Sequence, residues 1–258
     1  MGPIRCLIQK AEDTARAPAV RRGSGDNASM TSVSPPLRPQ RTRIKICGLR
    51  THADVQAAVQ AGADAIGLVF YDKSPRYVTP EQAADLARSL PPFVTPVGLF
   101  VNAPASLIAE VTGAVPNLLL QFHGDEPPEA CRAHGRPYIR AARITPGFDL
   151  VDFASRHADA AALLLDAHVD GYGGGGKVFD WSLVELQARR GAHVPLVLSG
   201  GLHAANVADG MAALRPFAVD VSSGVEARKG VKDAELIHHF CQAVRAADAA
   251  LAARHSAS

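Results

Sequence analysis

From residue 43 onward, short apolar runs alternate with longer amphipathic stretches. The apolar runs cover 43–48, 65–70, 95–101, 117–122, 138–143, 161–166, 195–199 and 217–222, and they predict strands. Ala-rich stretches over about 52–61, 80–90, 104–113, 127–134, 149–157, 181–190, 203–213 and 232–250 predict helices between and after them. Thr79 before Pro80 reads as an N-cap with proline at the first helical position. Asn102 and Asp180 are placed to cap the helices that follow them. Repeated β-then-α units predict an α/β protein: a single (β/α)8 TIM barrel over residues 43–258. The structural alternative is a doubly wound open sheet, which usually carries a GxGxxG first turn. The first turn here is Cys47-Gly48-Leu49-Arg50.

Strand alternation assigns the faces. In strand 1, apolar Ile44 and Ile46 should face the helices, so Lys45 and Cys47 point into the barrel. In strand 8, Val219 and Val221 point outward, while Asp220 and Ser222 point inward. Buried Lys and Asp are rarely left unpaired, so a Lys45–Asp220 contact is expected.

Residues 1–42 break the pattern. They lack sustained periodicity, are rich in Arg, Ala, Ser and Pro, and end in Ser34-Pro35-Pro36-Leu37-Arg38-Pro39. Through Arg43 the chain carries 8 basic and 3 acidic side chains, a balance of +5 in a chain of net +2. This composition predicts a disordered basic extension. Three readings of it stand: a solvated tail, a start assigned upstream of a true start at Met30, and a targeting peptide. It has no apolar core of the kind a secretory signal needs, and Glu12, Asp13 and Asp26 weaken an organelle-transit reading.

The small net charge implies neither a nucleic-acid nor an anionic-membrane partner. No apolar run approaches the ~20 residues that span a bilayer. Cys6, Cys47, Cys131 and Cys241 form no CxxC pair, which fits a reducing cytoplasm. Cys131 and Cys241 lie in helical patterns and read as inert core residues. The histidines are scattered, and His238-His239 has no carboxylate in metal-site spacing, so no metal site is expected.

In such barrels chemistry collects at the C-terminal ends of the strands. Strand 1 ends in Cys47. Tyr71-Asp72-Lys73-Ser74-Pro75-Arg76-Tyr77 follows strand 2. Strand 4 ends with Gln121, then His123 and Gly124, and strand 6 ends in Asp166. Gly200 and Gly201 follow strand 7, and Asp220, Ser222, Ser223 and Gly224 come from strand 8 and its loop. Exposed backbone donors and hydroxyls in the last two loops predict a phosphate site. Cys47 and Asp166 on opposite sides of a mouth suit proton shuttling. A free thiol has a pKa near ~8.5; burial raises it and a nearby cation lowers it. The Arg76 guanidinium matches a planar carboxylate, though a solvated loop arginine reads as well. Gly173-Gly174-Gly175-Gly176 before Lys177 reads as a mobile lid or an uninvolved loop.

Taken in order, these motifs resemble the phosphoribosylanthranilate isomerase family of tryptophan biosynthesis. The resemblance runs from about Arg43 to the last helix. It is carried by Lys45-Ile46-Cys47-Gly48, Gly62-Ala63-Asp64-Ala65, Ser74-Pro75-Arg76-Tyr77 and Val97-Gly98-Leu99-Phe100-Val101-Asn102. Further along it rests on Gln121-Phe122-His123-Gly124, Leu164-Leu165-Asp166, Gly176-Lys177-Val178-Phe179-Asp180-Trp181, Leu198-Ser199-Gly200-Gly201-Leu202 and Asp220-Val221-Ser222-Ser223-Gly224-Val225-Glu226.

The resemblance implies a cofactor-free Amadori rearrangement of a phosphorylated small molecule, N-(5-phosphoribosyl)anthranilate. It implies Asp166 as general acid on the ribose ring oxygen and Cys47 as general base at C2′. Arg76 would hold the anthranilate carboxylate and Asp220 would orient the amine. Gly200, Gly201, Ser222, Ser223 and Gly224 would cradle the phosphate. Family members often carry Ser or Thr where Gly175 stands. The chain leaves no room for a fused second barrel, and both monomer and homodimer remain open. Two rivals stand beside this reading: the histidine-pathway aminoaldose isomerase, whose relatives use aspartate at the end of strand 1, and a non-catalytic phosphoribosyl-ligand-binding barrel.

Overall fold

The computed structural model describes residues 41–167, 180–185 and 193–256. Eight parallel strands close into a barrel: β1 (Arg43–Cys47), β2 (Ala65–Val69), β3 (Thr95–Phe100), β4 (Leu119–Phe122), β5 (Tyr138–Ile144), β6 (Ala162–Ala167), β7 (Leu196–Leu198) and β8 (Ala218–Val221). The ring closes because β1 pairs with both β2 and β8. The helices are α1 (His52–Ala61), α2 (Pro80–Arg88), α3 (Ala105–Ala114), α4 (Pro128–Arg132) and α5 (Leu150–Arg156). They continue with α6, described over 182–185, then α7 (Val207–Leu214) and α8 (Ala234–Ser256). After β8 the chain makes a 3-10 turn (Ser223–Val225) and a small antiparallel hairpin, β9 (Glu226–Arg228) and β10 (Val231–Lys232). Among the described residues no helix is long and apolar enough to cross a membrane.

The period-2 pattern sorts side chains as expected, into two apolar clusters. Ile44, Ile46, Val219 and Val221 belong to the layer between strands and helices. Phe70, Phe100, Phe122 and Tyr138 continue that layer, with Phe70 stacked on Phe100 at 5.1 Å between ring centroids and Tyr138 edge-on to Phe122 at 5.8 Å. Inside the barrel, Val97, Ile139, Ala141, Ala162, Leu164, Val197 and Ala218 fill a separate cluster. Alternation then turns Gln121, Asp166 and Ser199 to the inside, two residues beyond Leu119, Leu164 and Val197 along their strands. The interior is thus an apolar plug with polar groups gathered toward the C-terminal mouth.

Local chemistry sets the helix boundaries. Thr51 and Asp54 form a reciprocal capping box on α1, and Gly62 ends that helix at φ 86°. Thr79 caps α2 with Gln82 as its reciprocal partner and Pro80 in the first turn. Asp180 accepts from the Ser182 N–H at 3.0 Å, as its capping role requires. Asn102 does not cap α3: that helix starts after Pro104 without a side-chain cap. Asn102 sits at φ 49° and accepts instead from the Asp125 N–H at 2.8 Å. Its tolerance of the left-handed region makes it a turn residue here. The start expected for α7 at residue 203 falls to Val207, because His203 and Asn206 bond to each other in a turn.

Of the expected extension, residues 1–40 lie outside the described residues. Arg41 and Thr42, grouped with it by composition, bond to the barrel. Arg41 pairs with Asp64, and Thr42 bonds Asp248 of α8 through its N–H and hydroxyl, at 2.8 and 2.7 Å.

Candidate active site

β1 and β8 lie in register with Lys45 opposite Asp220, so two inward charges meet at one level. Lys45 Nζ donates to Asp220 Oδ1 at 2.8 Å, and both side chains are buried. The expected pair is therefore present. Burial pulls the Lys45 amine down, but Asp220 and then Cys47 outweigh it and leave it above its ordinary range. It stays an ammonium.

Cys47 lies one inward position further along β1, 4 % exposed. Burial pushes its thiol up, and Asp220 adds to that; the Lys45 and Lys232 ammonium groups act the other way, Lys45 also by a hydrogen bond. The balance leaves the thiol above its ordinary range. Space for the sulfur comes from Gly67 on β2, where a Cβ would stand 2.6 Å from Sγ and 2.9 Å from Cys47 Cα. The Gly67 carbonyl also accepts from the N–H groups of Gly48 and Leu49, which fixes the turn after the thiol.

The β9–β10 hairpin folds a second charged group under this corner. Glu226 accepts from Arg76 Nε at 2.6 Å and Arg76 Nη2 at 2.9 Å, a bidentate pair. It also accepts from Lys232 Nζ at 2.8 Å and the Gly230 N–H at 3.0 Å. Burial pushes the Glu226 carboxyl up, but the Arg76 and Lys232 bonds outweigh that and hold it below its ordinary range. Lys232 goes down, because burial exceeds what Glu226 returns to it. Its Nζ also donates to the Ser222 carbonyl at 2.9 Å, tying hairpin to β8 loop. Arg76 reaches Glu226 across Gly48: a Cβ there would stand 2.5 Å from Arg76 Cδ. The carboxylate on the Nε–Nη2 edge of Arg76 is therefore one of the chain's own.

Asp166 stands at the end of β6, 6 % exposed. Its Oδ2 lies 3.0 Å from His123 Nε2, and His123 Nδ1 lies 3.1 Å from the Gln121 amide nitrogen. His123 thus bridges Asp166 and the buried Gln121 through its two ring nitrogens. Both peptides around His123 are clamped. Arg140 donates to the carbonyls of Phe122 and Gly124, each at 3.0 Å. Glu126, 3.5 Å from Arg140, accepts from the Gly124 N–H at 2.9 Å and the Asn102 N–H at 2.6 Å.

The two expected phosphate loops touch. Gly200 and Gly201 have φ 80° and 66°, a conformation suited to glycine. Gly224 lies so close to the Leu202 carbonyl that a Cβ would collide with it. Asn206 holds the Gly201 carbonyl at 3.0 Å. Ser222 points back to the base of the mouth, donating to the Cys47 carbonyl at 3.1 Å. The segment 173–177, read as a lid or an uninvolved loop, lies outside the described residues.

Cys47, Arg76, Asp220 and Ser222 are thus brought together through Lys45, Glu226 and Lys232, while Asp166 stands on the β4–β6 side with His123. The sequence reading placed no role on Lys232, Glu226, Gln121 or His123. The burial of Arg76, which the structure shows, is what requires the Glu226 counter-charge.

A closed parallel barrel with its polar groups at the C-terminal mouth belongs to the class of (β/α)8 enzymes. Residues 44–243 match the model of the N-(5'-phosphoribosyl)anthranilate (PRA) isomerase family, and the chain belongs to that family. The N-(5'-phosphoribosyl)anthranilate isomerase of Methylibium petroleiphilum is 66 % identical over 213 residues, 83 % of this chain and 98 % of that one. A crystal structure of phosphoribosyl anthranilate isomerase in complex with reduced 1-(o-carboxyphenylamino)-1-deoxyribulose 5-phosphate is 40 % identical, with TM-score 0.70. The match covers 80 % of this chain and 99 % of that one. A structure of monomers of the dimeric Thermotoga maritima enzyme is 38 % identical, with TM-score 0.69, over 79 % of this chain and 98 % of that one.

Proposed function

We propose that this chain catalyses the isomerase step of tryptophan biosynthesis, converting N-(5-phosphoribosyl)anthranilate to 1-(2-carboxyphenylamino)-1-deoxyribulose 5-phosphate. The observation that carries the reading is a buried thiol, Cys47, beside the Lys45 ammonium at the mouth of a barrel whose β6 carries Asp166 one residue before its end. Family membership supplies the substrate.

Asp166 protonates the ribose ring oxygen. The C1′–O bond breaks, its electron pair stays on oxygen, and the anilino nitrogen becomes an iminium. That cation acidifies the C2′–H, and Cys47 as thiolate takes the proton. The resulting enolamine tautomerises to the ketone. Burial raises the Cys47 thiol while the Lys45 and Lys232 ammonium groups lower it, and the iminium adds further positive charge that favours the thiolate. Arg76 presents its remaining edge to the anthranilate carboxylate, with Glu226 fixing the guanidinium plane. Asp220 orients the amine, and Gly200, Gly201, Ser222, Ser223 and Gly224 hold the phosphate.

The chain acts without a cofactor, as a monomer or homodimer, in the cytoplasm. Buried free Cys47, Cys131 and Cys241 accord with a reducing compartment. Burial pushes the last two up to about 11, which suits inert core thiols. The test is turnover of freshly generated phosphoribosylanthranilate beside the aminoaldose of histidine biosynthesis. Turnover of the first substrate is expected; turnover of the second alone, or of neither by folded protein, would overturn the reading.

A further inference from the structure

Arg76 and the phosphate loop belong to different segments. Arg76 follows β2, while Ser222, Ser223 and Gly224 follow β8. Both lie beyond the barrel strands, where register no longer fixes their separation. The β9–β10 hairpin bridges them, and one side chain makes the joint. Lys232 Nζ donates to Glu226 Oε1 at 2.8 Å, to the Ser222 carbonyl at 2.9 Å and to Ser222 Oγ at 3.4 Å. An ammonium has three donors, and these are three acceptors for them. Glu226 Oε1 also accepts from Arg76 Nε at 2.6 Å, so Arg76 and Lys232 share one carboxylate oxygen. Ser222 Oγ donates onward to the Cys47 carbonyl at 3.1 Å. The hairpin is seated on both segments. Gly230, at φ 80°, lies so near Pro75 that a Cβ there would stand 2.8 Å from the Pro75 carbonyl oxygen. On the other side the Asp233 N–H donates to the Val225 carbonyl at 3.0 Å. Desolvation opposes burying an ammonium, yet the Lys232 side chain is only 2 % exposed. A position that needed only to be filled is better served by an apolar side chain.

We propose that Lys232 is a positioning residue that sets the spacing between the phosphate loop and Arg76, so that a substrate with phosphate at one end and carboxylate at the other meets both in one geometry. The inference rests on the reading of Arg76 as the carboxylate holder and of the β8 loop as part of the phosphate cradle. One arm of the joint holds Ser222, the first residue of that loop. The other holds the Glu226 carboxylate that fixes the Arg76 plane. Lys232 itself touches neither end of the substrate. Without it Arg76 keeps its bidentate bond to Glu226, and the phosphate loops keep their other donors, so each subsite alone changes little. What is lost is simultaneous engagement, the gain that comes from linking two binding groups in one ligand.

The test measures equilibrium binding of three probes to wild type and Lys232→Met. The probes are inorganic phosphate, anthranilate, and the reduced form of 1-(2-carboxyphenylamino)-1-deoxyribulose 5-phosphate, which carries both groups. In Lys232→Met the Kd of the two-ended probe is expected to rise about 100-fold, while phosphate and anthranilate stay within about 3-fold. The KM for phosphoribosylanthranilate should rise with the two-ended Kd. Lys232→Arg keeps the charge and the donors and should recover part of the loss. A merely structural role would weaken all three probes alike as the melting temperature falls, and that result would overturn the proposal. An unchanged two-ended Kd in Lys232→Met, with wild type binding all three probes, would overturn the spacing role and leave the subsites standing. Failure of folded wild type to bind the two-ended probe would overturn the subsite reading and the spacing role together. If the Lys232 variants do not fold, 15N NMR of the wild-type Lys232 ammonium decides: slow hydrogen exchange supports the joint, and the fast exchange of a free surface lysine overturns it.

Discussion

Gly67→Ala should damage the thiol's chemistry without touching any polar group. A Cβ at residue 67 would lie 2.6 Å from Cys47 Sγ, 3.1 Å from its Cβ and 2.9 Å from its Cα. Ordinary carbon contacts fall at about 3.5–4.0 Å, so Cys47 must retreat by roughly 1 Å or β1 and β2 must part. Overpacking of this kind costs about 1–3 kcal/mol. In a barrel of this size that lowers Tm by about 2–4 °C per kcal/mol. Activity should fall further than stability, because a misplacement of about 1 Å costs on the order of 100-fold in rate. The assay is kcat from the loss of anthranilate fluorescence, with Tm from a thermal scan of the same sample. Folded Gly67→Ala with kcat within about 2-fold of wild type would refute the view that the Cys47 sulfur has a fixed working position.

Glu226→Gln leaves the buried Arg76 and Lys232 without their counter-charge and should destabilise by about 3–5 kcal/mol in urea melts. Its KM should rise, since Arg76 loses its bidentate anchor; an unchanged KM and midpoint would contradict the role given to Glu226. The same pair sets a pH dependence. The folded Glu226 carboxyl lies below its unfolded value, so its contribution is present above the ordinary carboxylate range and lost as pH falls through the folded value. The stability gap between wild type and Glu226→Gln should therefore narrow on acidification below about pH 4, and a constant gap would contradict this. Asp166→Asn should lose turnover by about 100-fold or more while keeping Tm, because an amide cannot donate a carboxylic proton; a wild-type rate would remove Asp166 as the acid.

Much of the mouth was legible because a barrel has few degrees of freedom. Once eight strands are seen, alternation decides which side chains point inward, and closure puts β1 beside β8. The Lys45–Asp220 contact, across 175 residues of chain, followed from those two facts. Arg76–Glu226, across 150 residues, did not, because both partners lie outside the barrel strands where no register applies. Lys232 escaped for the same reason: a two-residue strand in a hairpin carries too little periodicity to assign a face. Gln121 and His123 were seen at the end of β4, but a His is read as donor or acceptor only when its neighbours are known. Asn102 was misjudged as a cap because its residue type suits a cap and a left-handed turn equally, and contacts across the loop decided between them.

Everything proposed for the mouth turns on Cys47 being the base that removes the C2′ proton. Turnover of freshly generated phosphoribosylanthranilate by wild type and Cys47→Ser, followed by loss of anthranilate fluorescence, tests it most directly. Activity in wild type that disappears in a folded Cys47→Ser variant is the predicted result, since a serine hydroxyl is too weakly acidic to serve as the proton acceptor here. Near-normal turnover by Cys47→Ser would rule out the thiol as the base.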